Sequence, residues 1–124
     1  MKIIHLSDIH IHNNQRHDIY RIQFQKLYDK LKEESPDLIV IVGDLFNDFI
    51  SISNEAKQLA GEFLNNLSSI ARVIIVPGNH DIRKKSLNRV NSVETIVNLI
   101  QNSKITYFGQ SGFFDDPDYP IVWV

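Results

Sequence analysis

Three short polar clusters in this chain are built from residue types that bind cations: Asp8-Ile9-His10, Gly43-Asp44 and Gly78-Asn79-His80-Asp81. Asp8 and His10 stand two apart, so an extended segment projects both side chains to one side, where a carboxylate and an imidazole can hold one divalent cation. Asp44 follows a glycine, where the backbone can turn sharply, and its two oxygens can bridge two cations. Asn79 offers a neutral amide oxygen to a second cation, which leaves His80 to face a substrate. Oxygen and nitrogen donors without thiolate suit Mn²⁺, Fe or Zn²⁺ better than copper-type centres. Two cations about 3.5–4 Å apart clamp an in-line displacement at phosphorus. Each cluster alone also reads as turn or helix-entry chemistry. Three in this order, each directly after an apolar run, are hard to explain as turns.

The apolar pattern supplies the elements that must position them. Short β-branched runs at Ile3–Leu6, Leu38–Val42, 73–76, 105–108 and 121–124 read as strands. The second and third are apolar on both faces, as in a covered parallel sheet. Between them, Tyr20, Phe24, Leu27 and Leu31 share one face of a helix that must stop near Pro36. Ala56, Leu59, Ala60, Phe63, Leu64 and Leu67 form a second stripe, and Val93, Ile96, Val97 and Ile100 a third. Asn91 with Glu94 three residues on makes a capping-box-like start for that third helix. The order β-α-β-α-β-α-β-β predicts an α/β fold, a mainly parallel sheet flanked by helices through right-handed crossovers. Ligands of such sheets bind beyond the carboxyl ends of the strands, which is where all three polar clusters fall.

Composition sets outer limits. The 124 residues fit one domain, 1–124, and 43% hydrophobic with 23% charged content is enough to bury a core. Lys+Arg 13 against Asp+Glu 15 leaves a net charge of -2, so no global basic field holds nucleic acid. The absence of cysteine excludes a disulfide scaffold and thiolate metal sites. No apolar run approaches the roughly 20 residues of a membrane span. The N-terminus meets a polar residue too soon for a secretory h-region. The expected location is intracellular, cytoplasmic or nuclear. The chain stops inside the apolar run 121–124, which reads as a piece cut from a longer protein.

The three clusters together resemble the signature of the calcineurin-like metallophosphoesterase superfamily, which runs Asp-x-His, Gly-Asp, Gly-Asn-His-Asp/Glu and then a lone His and a Gly-His-x-His. The wording around Asp8-Ile9-His10 and Gly43-Asp44 is most similar to the Mre11/SbcD DNA-repair nuclease branch. The resemblance covers residues 2–81. It implies the N-terminal half of a layered metallophosphoesterase sandwich and a two-metal mechanism with manganese, or else iron or zinc. It implies that Asp8 and His10 bind the first metal, Asp44 bridges and Asn79 binds the second. By the same resemblance His80 protonates the leaving oxygen or stabilises the phosphorane-like transition state, and Asp81 orients His80. DNA is then the favoured substrate, and a homodimer with a coiled-coil ATPase partner is the assembly of that branch. A protein serine/threonine phosphatase, a small-molecule phosphoesterase and a non-catalytic binding module are the other readings. No histidine follows position 80, so the later histidine motifs are missing. The chain by itself is therefore expected to bind metal weakly and to turn over little substrate.

Of the five histidines, four lie in the first 17 residues. His5 is expected as a satisfied sheet histidine. His12 and His17 sit in a polar loop beside the first cluster and are candidate substrate contacts. Arg83, Lys84, Lys85 and Arg89 form a basic run just after the third cluster, a candidate phosphate-gripping edge. It has no interleaved aromatics, so single-strand stacking is not indicated. Asp115, Asp116 and Asp118 are expected as turn formers around Pro117 and Pro120.

Overall fold

The computed structural model describes residues 1–48, 51–79, 81, 91–119 and 122–123. Strands β1 (Ile3–Leu6), β2 (Leu38–Val42), β3 (Arg72–Val76) and β4 (Ile105–Tyr107) form one parallel sheet in the order β1-β2-β3-β4. Helices α1 (His17–Glu34), α2 (Asn54–Ser68) and α3 (Ser92–Ile100) are the three crossovers between them. Because the strand order follows the chain, crossovers of one hand put every helix on one face. The burial pattern agrees. Ile39, Ile41, Val73 and Ile75 share a core with Phe24, Tyr28, Leu31, Phe63, Leu64 and Val93 from the three helices.

Each helix forms for a local reason. The α2 stripe expected from spacing is buried in full, from Ala56 to Leu67, and Ser53 caps the helix by accepting from the Ala56 N–H at 3.1 Å. Asn91 caps α3, its side-chain oxygen accepting from the Glu94 N–H at 2.8 Å, as the capping pattern predicts. Helix α1 stops at Ser35, which is left-handed (φ 47°) and precedes Pro36. Phe24 stacks on Phe63 with ring centroids 4.2 Å apart, joining α1 to α2.

The opposite sheet face differs from the expectation of a sheet covered throughout. Leu38, Val40 and Ile74 are buried there under Ile3, Phe108 and Tyr119. Val42, at the carboxyl end of β2, is 46% exposed. His5 lies beside Val40 on β1, in the sheet as expected, and it is exposed. A four-residue strand with its polar residue on the less covered face leaves that residue in water.

The last apolar run does not join the main sheet. Strands β5 (Phe114–Asp115) and β6 (Val122–Trp123) pair antiparallel in a separate two-stranded sheet. The aspartates before it do more than form a turn. Asp116 accepts the Asp118 and Tyr119 N–H groups at 2.9 and 3.2 Å, and it also takes an ion pair from Arg72 at the start of β3. Its side chain is fully buried, so the carboxylate is removed from water only because Arg72 and two amides replace the lost hydration. No helix among the described residues is long and apolar enough to cross a membrane.

Candidate metal centre

The segments after β1 and β2 leave the ladder together and rejoin it together. The last β1–β2 register pair is Leu6 with Ile41, and pairing resumes as an isolated parallel bridge between Ile11 and Phe46. Both segments therefore interrupt the β1–β2 pairing by four residues, 7–10 and 42–45, with no loss of register. Ile11 and Phe46 anchor the far side of the interruption; they are 2% and 1% exposed. The His10 and Ile11 N–H groups donate to the Asp44 and Leu45 carbonyls at 3.0 and 2.9 Å. The Tyr20 hydroxyl donates to the His10 carbonyl. Spacing showed Tyr20 only as part of an apolar stripe.

Within these segments the backbone is left-handed at Asp8 (φ 55°), His10 (φ 49°), Gly43 (φ 86°) and Asp44 (φ 56°). The Asp8–His10 segment is therefore bent, where the spacing predicts an extended one. The two side chains meet through left-handed bends, a conformation that Asp, Asn and His adopt more readily than other non-glycine residues. Such bends at three candidate ligands are local strain held by the surrounding packing.

The bends bring one donor atom each from Asp8, His10 and Asp44 to within 4.8 Å of one another. His10 Nε2 lies 3.4 Å from Asp8 Oδ1. A cation with ligands at about 2.1 Å spans donors roughly 3–4 Å apart. The donor set therefore fits a divalent cation after a small rotation of Asp8, which is exposed. Two carboxylates and an imidazole suit a hard or borderline ion.

The third cluster arrives from β3. Gly78 packs directly on Asp44: a Cβ at Gly78 would fall 2.1 Å from Asp44 Oδ1 and 2.5 Å from its backbone nitrogen. A Cβ at Gly43 would fall 2.6 Å from Gly78 Cα. Both glycines are thus required by close approach of the two loops. Asn79 follows on this rim and is exposed. Asp81 is buried, 6% exposed, and its carboxylate accepts the backbone N–H groups of Gly78, Leu45 and Phe46. Burial pushes its carboxyl above the usual carboxylate range, and those N–H donors oppose the rise.

His80, Arg83, Lys84, Lys85 and Arg89 lie outside the described residues. Of the loop histidines, His12 is exposed. His17 is the first residue of α1 and not a loop residue, and its Nε2 sits 2.6 Å from the His12 carbonyl oxygen, so this ring fastens the loop to the helix start. The loop is also tied across to the start of α2. Asn13 Oδ1 accepts from the Ser53 N–H at 2.7 Å, and its amide donates to the Ser51 carbonyl. Neither Asn13 nor Tyr20 carries a sequence signal for these roles, because each bond joins the site loop to a distant or differently patterned element.

The family profile of the calcineurin-like phosphoesterases matches residues 1–121. The chain belongs to that family. The family normally binds divalent metals, and the Asp8, His10 and Asp44 cluster is a candidate site for one, at the carboxyl ends of parallel strands. The chain is also 35% identical over 116 residues to an uncharacterized protein of Acanthamoeba polyphaga mimivirus. That match covers 90% of this chain and 9% of the relative, so the chain spans about a tenth of that relative's length.

Proposed function

We propose that this calcineurin-like phosphoesterase chain carries the first half of a two-cation phosphodiesterase site. In this reading Asp8, His10 and Asp44 hold one divalent cation, and Asp44 with Asn79 offers oxygens to a second. The convergence of the three donor atoms within 4.8 Å carries the proposal. Bound there, divalent cations supply Lewis-acid polarisation of a phosphoryl oxygen. The chain's own residues do the rest. Asp8 and Asp44 concentrate negative charge that retains the cations. The left-handed bends fix the donors before substrate arrives, so little reorganisation is left for the reaction. His80, three residues before the basic run, gives a proton to the departing oxygen as the phosphorus–oxygen bond breaks and water adds.

The wording around the first two motifs and the basic residues 83–89 favour DNA, in the manner of the Mre11/SbcD nucleases, over a phosphoprotein or a small phosphoester. Manganese is the metal to try first. No histidine follows His80, so the second cation has few ligands in these 124 residues. The test is an assay with manganese against an activated phosphodiester, a phosphomonoester and duplex DNA. The chain alone is expected to show trace turnover. A longer protein that adds the two later histidine motifs is expected to cleave the diester and the DNA. Robust turnover by the 124 residues alone would overturn the half-site reading, and a preference of the longer protein for monoesters would overturn the nuclease reading.

A further inference from the structure

We infer that Asp81 is a positioning residue for Asp44, acting as a brace between the loop after β2 and the loop after β3. The inference rests on the metal site proposed above and adds to it what keeps its ligands in register. Two loops that carry candidate ligands meet here, and among the described residues no strand ladder joins them beyond Val42 and Val76. Asp81 spans the gap. Its Oδ2 accepts from the Gly78 N–H at 2.9 Å and from the Leu45 N–H at 3.4 Å, while Oδ1 accepts from the Phe46 N–H at 3.3 Å. Its own N–H donates to the Gly78 carbonyl at 3.1 Å, closing the turn that contains Asn79. Leu45 follows Asp44 directly, so the Asp81 bonds fix the backbone beside the ligand on one side, and Gly78 backs the Asp44 carboxylate on the other.

The chemistry calls for a carboxylate. Three N–H donors from two loops converge on one side chain, and an ionised carboxylate is acceptor-only. An asparagine of the same size has one acceptor oxygen and an NH₂ group. Either orientation then turns a donor against a donor, at Phe46 or at the Leu45–Gly78 pair. Asp81→Asn is therefore expected to fill the same space while uncoupling the two loops.

The test is titration of the metal-free protein with Co²⁺, followed by its visible absorption, alongside thermal unfolding without metal. Wild type is expected to show saturable binding and a defined cobalt spectrum. Asp81→Asn is expected to weaken binding roughly 10–100-fold, the usual effect of losing an outer partner of a metal ligand, and to alter the spectrum. Asp81→Glu keeps both acceptor oxygens and is expected to restore most of the affinity. It also serves as the readout if Asp81→Asn does not fold. An unchanged affinity and spectrum in Asp81→Asn, with only turnover reduced, would overturn the brace and assign Asp81 to His80. Failure of Asp81→Glu to improve on a folded Asp81→Asn would overturn it as well, as would a folded Asp81→Glu with the cobalt spectrum lost. If wild type itself gives no saturable cobalt spectrum, the metal site fails, and the brace toward it fails with it.

Discussion

Replacing Asp44 with asparagine is expected to remove metal binding while leaving the metal-free fold in place. Asp44 is the residue common to both halves of the proposed site, and one of two carboxylates within 4.8 Å of each other and of His10. Asparagine keeps the size of the side chain and tolerates the left-handed backbone at φ 56°. It removes the charge that a divalent cation needs. The loss in affinity should exceed the roughly 10–100-fold that an outer partner of a ligand is worth. Calorimetric or thermal-shift titration reads it directly. A metal at 100 times its Kd stabilises by about 2.7 kcal/mol, which is several degrees in Tm for a chain of this size. Wild type should show that rise with manganese, and Asp44→Asn should not. Without metal the variant should melt within a few degrees of wild type or slightly above, since two exposed or half-exposed carboxylates at such a distance repel by about 1 kcal/mol in water. An equal metal-induced rise in both proteins would contradict the role given to Asp44.

The second large effect concerns the layer that supports the site. Phe63 is 0% exposed and stacks on Phe24 at 4.2 Å, with Tyr28 at 6.2 Å. Truncation to alanine removes most of a ring volume between α1 and α2, and both helices are held by many other contacts, so they cannot close the void. Phe63→Ala is expected to cost about 3–5 kcal/mol, against a total stability of about 5–15 kcal/mol for a typical domain. In urea the midpoint should fall by roughly 2 M. Leu99 is the control: it is apolar, on α3 and 78% exposed, and Leu99→Ala should change the midpoint little. A Phe63 variant that unfolds at the same urea concentration as wild type would show that the α1–α2 layer does not support the fold as described.

The sheet and its helices were legible because their signals are periodic and local. Leu38–Val42 is an apolar run of five, four of them β-branched, and the structure has a strand of those same bounds. The α2 stripe from Ala56 to Leu67 repeats at helical spacing and is buried throughout. The candidate site was legible as residue types and as a location. Asp8, His10, Asp44 and Asn79 each follow a strand, and parallel strands deliver their carboxyl ends to one rim. Its geometry was not legible. A left-handed residue is a single event with no period, and Asp and His are compatible with extended backbone too, so nothing in Asp8-Ile9-His10 distinguishes a bend from a strand. The Asp81 bonds go to backbone N–H groups, which every residue but proline possesses and no sequence pattern marks. The Arg72–Asp116 pair joins positions 44 apart in the chain, and only the assembled sheet shows that a turn-forming aspartate is also a buried acceptor. The exposure of His5 was not legible for a related reason. Alternation says that it opposes its apolar neighbours, while its exposure depends on what covers that face.

The most direct test is anomalous diffraction from crystals soaked in manganese. Asp8, His10 and Asp44 are expected to flank an anomalous peak, with an oxygen of each carboxylate and a ring nitrogen of His10 within about 2.0–2.5 Å of it. Manganese bound elsewhere at full occupancy, or the three side chains turned apart around solvent, would contradict the account.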